Sequence, residues 1–588
     1  MRPGTYQIIT YGCQMNASDS ELMAGILEAR GLSPVREEAE ADVLLVNTCI
    51  VRDSAEQRAQ GRIARLKGLK TGRPDRIIGV CGCMAQRDAE AIFDQYPHVD
   101  LVLGTRAIPS LSAMLDHVLN GESRVACVEK IPGSVGRMDE SDGSDEPDGS
   151  DNLQAPTFSI RNPQTAIRNP QSSALSTQRS ALSSQSSALS AQHSALSSQS
   201  SALSTQHSAL SSHSSALSTQ HSALSSQHSA LSTQHSALSS QSSVLSPQHS
   251  LAVPVRRSAL RALVPIMMGC NNWCSYCIVP TVRGREESRR AGVILDEIQA
   301  LVQCGCREVT LVGQNVNSYR DGETDFAGLL ERVNAVDGLL RVRYITSHPR
   351  DANDRHLDAV AALPKVCDHF HLPAQSGSTP VLARMNRGYT REDYLGLVRR
   401  VRQRLPEATI TTDLIVGFPG ETGADYEQTL DLVREVRFDS AFTFLYNVRE
   451  GTRAAEWEDD VPLTVKKERL ARLIEIQERI SLEQNQALAG KTLEILVEGP
   501  ARRAEQKGGR GQCVGRTTGD KCVVYDGSPS DTGRLVRTRI VEGAAHTLFG
   551  ERIQQDPRPN ENISSLPCLP ERVESRGDST RVKNSGPG

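Results

Sequence analysis

Between Leu175 and Leu245 a leucine recurs at every seventh position in a background of Ser, Ala, Gln, Thr and His. A seven-residue period ordinarily marks a coiled coil, whose seam needs apolar residues alternately three and four apart. Here Ala and Leu are adjacent in "SALSSQS" and its copies, and the residues between them bury little surface, so the period builds no seam. The DNA explains it better. A repeated seven-nucleotide unit CTCAGCA encodes Leu-Ser-Thr-Gln-His-Ser-Ala, and ATCCGCA encodes Ile-Arg-Asn-Pro-Gln-Ser-Ala; both heptapeptides occur here nearly unchanged. Residues 126–255 therefore read as a disordered low-complexity linker insert, expanded from a DNA repeat and without function of its own. This leaves two blocks in which folding has to happen. An aromatic content of only 4% agrees that part of the chain is not globular.

The block before the insert alternates strand and helix. "TYQIIT" is apolar and β-branched, "SDSELMAGILEARG" carries Asp and Ser before a helical period and Gly31 after it, and "ADVLLVNTC" is another buried strand; "DRIIGVCGCMAQ" and "DLVLGT" repeat the pattern. Residues 1–125 are expected to form a doubly wound α/β domain, whose ligands sit outside the carboxyl ends of its strands. After the insert, "EVTLVGQN", "VRYITS", "DHFHLPAQ", "ATITTDLIVG" and "SAFTFLY" alternate with helices across 256–488, predicting a partial parallel (β/α) barrel. An amphipathic helix follows, with apolar Leu470, Leu473, Ile474 and Ile480. Short strands with Gly-rich turns over 489–552 predict a small closed β-barrel, and the polar tail 553–588 reads as disordered.

The formal charge of −4 hides local patches: an acidic run from Asp139 to Asp151 and the arginine cluster "RGREESRR" from Arg283 to Arg290. A polyanionic partner would have to meet such patches. "MRPGTYQIITYGC" lacks the regions of a signal peptide, and no stretch approaches about 18 uninterrupted apolar residues, so a cytoplasmic protein that does not enter a membrane, and a monomer, is expected. In a reducing cytosol, fourteen cysteines in 588 residues are candidate ligands before they are disulfides.

Three of them, Cys270, Cys274 and Cys277 in "MMGCNNWCSYCIVP", have C-x3-C-x2-C spacing at the start of the second α/β block. A structural zinc site needs a fourth ligand that nothing nearby supplies. Three thiolates suffice for a 4Fe–4S cluster that leaves one iron open. Three more, Cys13, Cys49 and Cys83, each fall at a strand end of the first domain, where they can converge on one crevice. Scattered buried thiols are the plainer alternative. Polar residues at later strand ends, Gln314, Asn315, Gln375, Ser376 and Asp413, suit a zwitterion and a ribose; the same residue types also cap turns.

The C-x3-C-x2-C motif with Tyr276, directly after the start of a parallel barrel, resembles the radical S-adenosylmethionine superfamily. That resemblance implies that the open iron chelates S-adenosylmethionine, that one electron cleaves its sulfonium to a 5'-deoxyadenosyl radical, and that Tyr276 lies near the adenine. Together with "GCQMN", "NTCIVRDSAEQR", "CGCMAQR", "GQNVNSY" and "DLIVGFPGET", the chain from about Thr5 to Phe549, apart from the insert, resembles the methylthiotransferases. The family implies two 4Fe–4S clusters, one on Cys270, Cys274 and Cys277 and a second on Cys13, Cys49 and Cys83, whose open iron carries sulfide. "GCQMN" and "QNVNSY" are similar to the members that place a methylthio group on C2 of N6-isopentenyladenosine next to the anticodon of tRNA. Relatives that act on threonylcarbamoyladenosine in tRNA, or on a ribosomal-protein aspartate, are the alternatives. The electron and sulfur donors stay unidentified.

Two departures stand out. Cys81 lies two residues before Cys83, on the same face by strand alternation, and is a competing ligand; Cys83 alone has the family's "GCMAQ" position. "NVREGTRAA" from Asn447 replaces a segment in which the family usually has Ser and Pro. Residues 491–550 resemble the TRAM domain, which implies RNA contacts for Arg502, Arg503, Lys507, Arg510 and Arg516, while Cys513 and Cys522 read as packing thiols.

Overall fold

A computed structural model of the chain describes residues 4–50, 53–122, 124–129, 158–160, 254–256, 258–501 and 511–553. The heptad repeat, the acidic run and the tail beyond Ile553 lie outside the described residues.

The first domain is one seven-stranded sheet. Strands β1 (Thr5–Thr10), β2 (Ser33–Pro34), β3 (Val43–Thr48), β4 (Ile77–Gly82), β5 (Leu101–Leu103), β6 (Val125–Cys127) and β7 (Phe158–Ile160) lie in the order β2-β1-β3-β4-β5-β6-β7. All pairings are parallel except β6 with β7, which is antiparallel. Composition puts the domain's end at residue 125, but the sheet runs on through Cys127 and takes a strand at 158–160. All six residues of β3 are buried because both faces are covered. Val43 and Leu45 face one core with Met23 and Leu27, and Leu44 and Val46 face another with Ile63 and Phe93. A buried parallel strand therefore reads as an unbroken apolar run. Strand order reverses between β1 and β3, and in doubly wound sheets that point opens the binding crevice.

The second domain holds two three-stranded parallel sheets, Arg261–Pro265, Glu308–Val312 and Arg341–Tyr344 in one, His369–His371, Thr409–Val416 and Ser440–Leu445 in the other. A parallel bridge between Val342 and Val366 connects them into the expected partial barrel. Helix Leu463–Gln486 follows as predicted, but its buried stripe differs from the predicted one. Leu473 and Ile480 are buried, Ile474 is exposed, and the amide of Gln477 takes a core position by donating to the Phe438 carbonyl at 2.8 Å.

Five strands, Thr492–Pro500, Gln512–Arg516, Cys522–Asp526, Leu535–Gly543 and Leu548–Arg552, close the C-terminal barrel around Ile495, Val497, Cys513, Val523 and Ile540. This barrel packs on the amino ends of the parallel strands, opposite to the end that carries the cysteine loop. Arg343 donates to the carbonyls of Thr517 and Thr518 at 2.6 and 2.9 Å and pairs with Glu308 at 2.9 Å.

Candidate active site

The loop after strand Arg261–Pro265 carries Cys270, Cys274 and Cys277. Gly269 shapes it: at φ +80° a Cβ there would lie 1.9 Å from the Arg285 carbonyl oxygen. Gln314 holds the same turn by accepting the Gly269 N–H. The backbone N–H of Asn272 donates to the Cys270 sulfur at 3.4 Å, and Arg387 donates to the Cys274 sulfur at 3.3 Å. The three thiols sense one another. Burial first, then the neighbouring sulfurs, push Cys277 up to about 12, and burial pushes Cys270 up to about 11. On ionisation the three sulfurs add negative charge to one buried site, which Arg387 offsets in part.

Arg387 organises this mouth of the barrel. Its buried guanidinium also donates to the Tyr276 hydroxyl at 3.4 Å, the Tyr389 hydroxyl at 3.0 Å and the Pro373 carbonyl at 2.8 Å. Tyr276 stands edge-on to Phe418, with ring centroids 6.4 Å apart. Beside Arg387 lies His348, which burial and the adjacent Arg387 and Arg350 push down to about 2, so the imidazole is neutral. Its Nδ1 accepts from the Arg350 N–H at 3.3 Å and its Nε2 is buried without a partner among the described residues.

The polar strand-end residues divide into two groups. Asn315 is buried and tied up within the protein: it donates to Asp351 at 2.7 Å and accepts from the His348 N–H at 3.0 Å. Ser376 is buried against the Thr429 hydroxyl at 3.3 Å and accepts from the Ser378 N–H at 3.2 Å. These two, with Gln314, support the loops as turn residues do. Gln375 and Asp413 are different. Gln375 sits at φ +67°, a left-handed conformation that costs a non-Gly residue about 1–3 kcal/mol. Strand pairing holds it there, through bonds of 2.8 Å to the Asp413 carbonyl and from the Ile415 N–H. Asp413 lies 3.5 Å from His371 with its carboxylate partly open.

The second triad gathers at the switch point between β1 and β3. Cys13 follows β1 as the N-cap of helix Gln14–Ala29, Cys49 follows β3, and Cys83 opens helix Cys83–Asp88 after β4. The segments approach so closely that a Cβ on Gly12 would lie 2.5 Å from the Cys49 Cβ. Asn16 and Asn47 knot them together: Asn16 donates to Asn47 at 3.2 Å and to the Thr48 carbonyl at 3.0 Å, and Asn47 donates to the Asn16 carbonyl at 2.8 Å. A hydrogen bond with Cys49, then the Arg283 charge and the first N–H groups of the helix, hold the Cys13 thiol down at about 6 against desolvation by its neighbours, although the residue itself is exposed. Burial raises Cys83, against the pull of Arg283.

Cys81 does not join them. Gly82, at φ +90°, turns the chain where β4 ends, so strand alternation stops before Cys83. Cys81 packs with Tyr6, Met23 and Leu103 on one face of the sheet, while Cys83 packs with Met84, Ile92 and Ile278 on the other.

Arg283 links the two triads. It ends helix Val279–Arg283, which begins two residues after Cys277 and is roughly 7–8 Å long. Ile278 and Val282 lie in the first domain's core, and the Thr105 hydroxyl donates to the Val282 carbonyl at 2.6 Å. Arg283 is buried and pairs with buried Asp19 at 2.8 Å. The predicted solvent-facing arginine patch is therefore not one surface: Arg283 is inside, and Arg289 pairs with Glu297 at 2.8 Å. Sequence reading missed Asn16, Asp19, Arg283 and Arg387, since nothing local distinguishes them from surface residues. Of the proposed RNA contacts, Arg502, Arg503, Lys507 and Arg510 lie outside the described residues. Arg516 bonds Glu498 at 3.0 Å and Asp520 at 3.2 Å, which takes its charge into the fold.

Three free thiols are the number that can hold a 4Fe–4S cluster with one iron open. Each site offers three thiols, and every cysteine among the described residues is free.

Residues 5–104 match the uncharacterized protein family UPF0004 and residues 264–433 the radical SAM superfamily. A solved radical S-adenosylmethionine methyltransferase, TsrM, from Kitasatospora setae aligns with 77% of this chain and 75% of its own at TM-score 0.45 and 14% identity. The tRNA-2-methylthio-N(6)-dimethylallyladenosine synthase of Pelotomaculum thermopropionicum is 40% identical over 551 residues, covering 93% of this chain and 97% of the relative. The synthase of that name from Carboxydothermus hydrogenoformans is 40% identical over 556 residues, covering 94% and 99%. At that identity, over nearly the full length of both, the chain belongs to the family of the tRNA-2-methylthio-N(6)-dimethylallyladenosine synthases.

Proposed function

We propose that this protein methylthiolates C2 of N6-isopentenyladenosine next to the anticodon of tRNA, using S-adenosylmethionine and two 4Fe–4S clusters. The observation that carries the reading is the pair of separate three-thiol sites joined by one short helix, in a chain of this family. With S-adenosylmethionine, the cluster on Cys270, Cys274 and Cys277 supplies a carbon-centred radical, which an unpolarised C–H bond requires because no side-chain base removes its hydrogen at a useful rate.

The chain's own residues do the positioning. Gly269 and Gln314 fix the cysteine loop, and Arg387 offsets charge at Cys274 while holding the hydroxyl of Tyr276, whose ring is assigned to the adenine. Gln375 and Asp413, whose side chains are less occupied within the fold than those of Asn315 and Ser376, are assigned to the S-adenosylmethionine. The neutral His348 adds a polar atom without a second charge beside Arg387. Cys13, Cys49 and Cys83 hold the sulfur-carrying cluster on the other side of helix Val279–Arg283. Among the described residues no helix is long and apolar enough to cross a membrane, and we assign a monomer acting on tRNA in the cytoplasm, with external electron and sulfur donors. Arg502, Arg503, Lys507 and Arg510 are assigned to phosphate contacts of the RNA.

Nucleoside analysis of tRNA from a deletion strain tests this directly. Loss of the 2-methylthio nucleoside with accumulation of N6-isopentenyladenosine is expected, and persistence of the methylthio product would overturn the assignment.

A further inference from the structure

We infer that Arg283 binds an exchangeable anionic sulfur ligand at the Cys13, Cys49 and Cys83 site, its Nη1 donating to that ligand while its Nη2 stays on Asp19. The inference rests on the reading that this triad holds a sulfur-carrying cluster.

Four observations meet at one side chain. Arg283 is 2% exposed, and Nη2 donates to Asp19 at 2.8 Å, which fixes the guanidinium plane. Nη1 is buried and has no hydrogen-bond partner among the described residues. The guanidinium stands beside Cys83, whose sulfur it stabilises, and it feels the charge of Cys13 as well, so it faces the triad. The helix that carries it is anchored by the Thr105 bond to the Val282 carbonyl, and Arg106 donates to the Arg283 carbonyl itself at 3.2 Å, so the donor cannot swing out to water.

A buried donor left unpaired is costly, and native proteins rarely retain one unless a ligand completes it. A planar guanidinium cannot lose its proton at any accessible pH, so its missing partner is an acceptor, and in so closed a site an anionic one. With the three thiolates each on a different iron, the remaining iron of such a cluster would carry only sulfides, and a soft anion suits it. A hydrosulfide or methanethiolate meets both requirements, with sulfur on the open iron and Nη1 as hydrogen-bond donor. Asp19 has a separate part: it orients the fork, and without Arg283 it would be a carboxylate buried with no counter-charge.

The test uses the full chain with Cys270→Ala, Cys274→Ala and Cys277→Ala, reconstituted anaerobically so that only the second cluster contributes to the spectrum. Methanethiolate is titrated in, and its binding is read from the electron paramagnetic resonance signal of the reduced cluster. Arg283→Gln is expected to raise the half-saturating concentration about tenfold or more with iron and sulfide counts unchanged, from the loss of one charged hydrogen bond. Arg283→Lys is expected to recover most of that loss. Because Arg283→Gln strands Asp19, the neutral pair Asp19→Asn with Arg283→Gln is measured alongside it, and the same weakening is expected. Equal thiolate binding in the Gln variants overturns the inference, as does loss of iron from both of them, which would make Arg283 a support of the cluster alone. A parent cluster that binds no thiolate would instead sink the sulfur-carrying reading on which the inference rests.

Discussion

Gly269 and Gly82 show how much of each site depends on one backbone torsion. A methyl group at Gly269 would overlap a carbonyl oxygen of the chain itself, not a movable side chain, so the cysteine loop must shift to accept it. Gly269→Ala is expected to lose the first cluster and keep the second, seen as about half the iron of wild type. Iron counts equal to wild type would refute this role. Gly82 puts Cys81 and Cys83 on different faces, where spacing alone left them on one, because the period-2 rule holds only while a strand continues. Cys83→Ala should therefore lose the second cluster, whereas Cys81→Ala should keep it. Thiol reactivity offers an independent check on the iron-free protein. With a pKa of about 6 and an exposed position, Cys13 is largely thiolate at pH 7, and buried Cys81 is not. Iodoacetamide is expected to modify Cys13 before Cys49, Cys81 or Cys83, and the rate should fall as the pH is lowered through 6. First labelling at Cys81 would contradict the geometry.

At the scale of elements, the strands were legible and the contacts between elements were not. β3 and β4 announced themselves as continuous apolar runs, since a parallel strand covered on both faces has no polar side to interrupt it. The five residues Val279–Arg283 gave no such signal. They are too short for a helical period, and their arginine stands in a run of basic residues that looks solvated. Only the packing shows that Ile278 and Val282 finish the first domain's core and that Arg283 reaches the other triad. Ile278→Ala tests how far this element joins the two sites. Truncating a buried isoleucine costs about 2–5 kcal/mol, so a lowered thermal midpoint is expected. If the helix also registers the two triads, the iron content of both should fall together at a temperature where the chain remains folded. A lowered midpoint with full iron occupancy would limit the helix to packing.

For the whole molecule, the composition foretold a C-terminal barrel but not where it docks. Within "VGRTTGDK" the TRAM resemblance implied an RNA contact for Arg516. In the structure the segment's Thr517–Asp520 turn fills the amino end of the parallel barrel instead. A Cβ on Gly519 would sit 2.1 Å from the Thr409 hydroxyl, and the carbonyls of Thr517 and Thr518 accept from Arg343. Arg343 and Glu308 form a buried pair with side chains 7% and 3% exposed, on strands of the barrel's first sheet. Such a pair is weak evidence of net stabilisation, but removing one member leaves a buried charge without a partner. Arg343→Ala is therefore expected to destabilise the protein by about 3–5 kcal/mol, and replacing both members with Arg343→Met and Glu308→Gln should cost less, since no charge is stranded. The Cys270, Cys274 and Cys277 loop follows the carboxyl end of a neighbouring strand of that sheet and the other triad lies in the first domain, so the iron content of the surviving folded protein should be unchanged. Thermal melts read beside iron counts separate the two effects. A melting temperature that hardly moves in Arg343→Ala would mean that the C-terminal barrel is held by its other contacts, among them Lys521 with Asp439 at 2.6 Å and Arg261 with Glu498 at 2.5 Å.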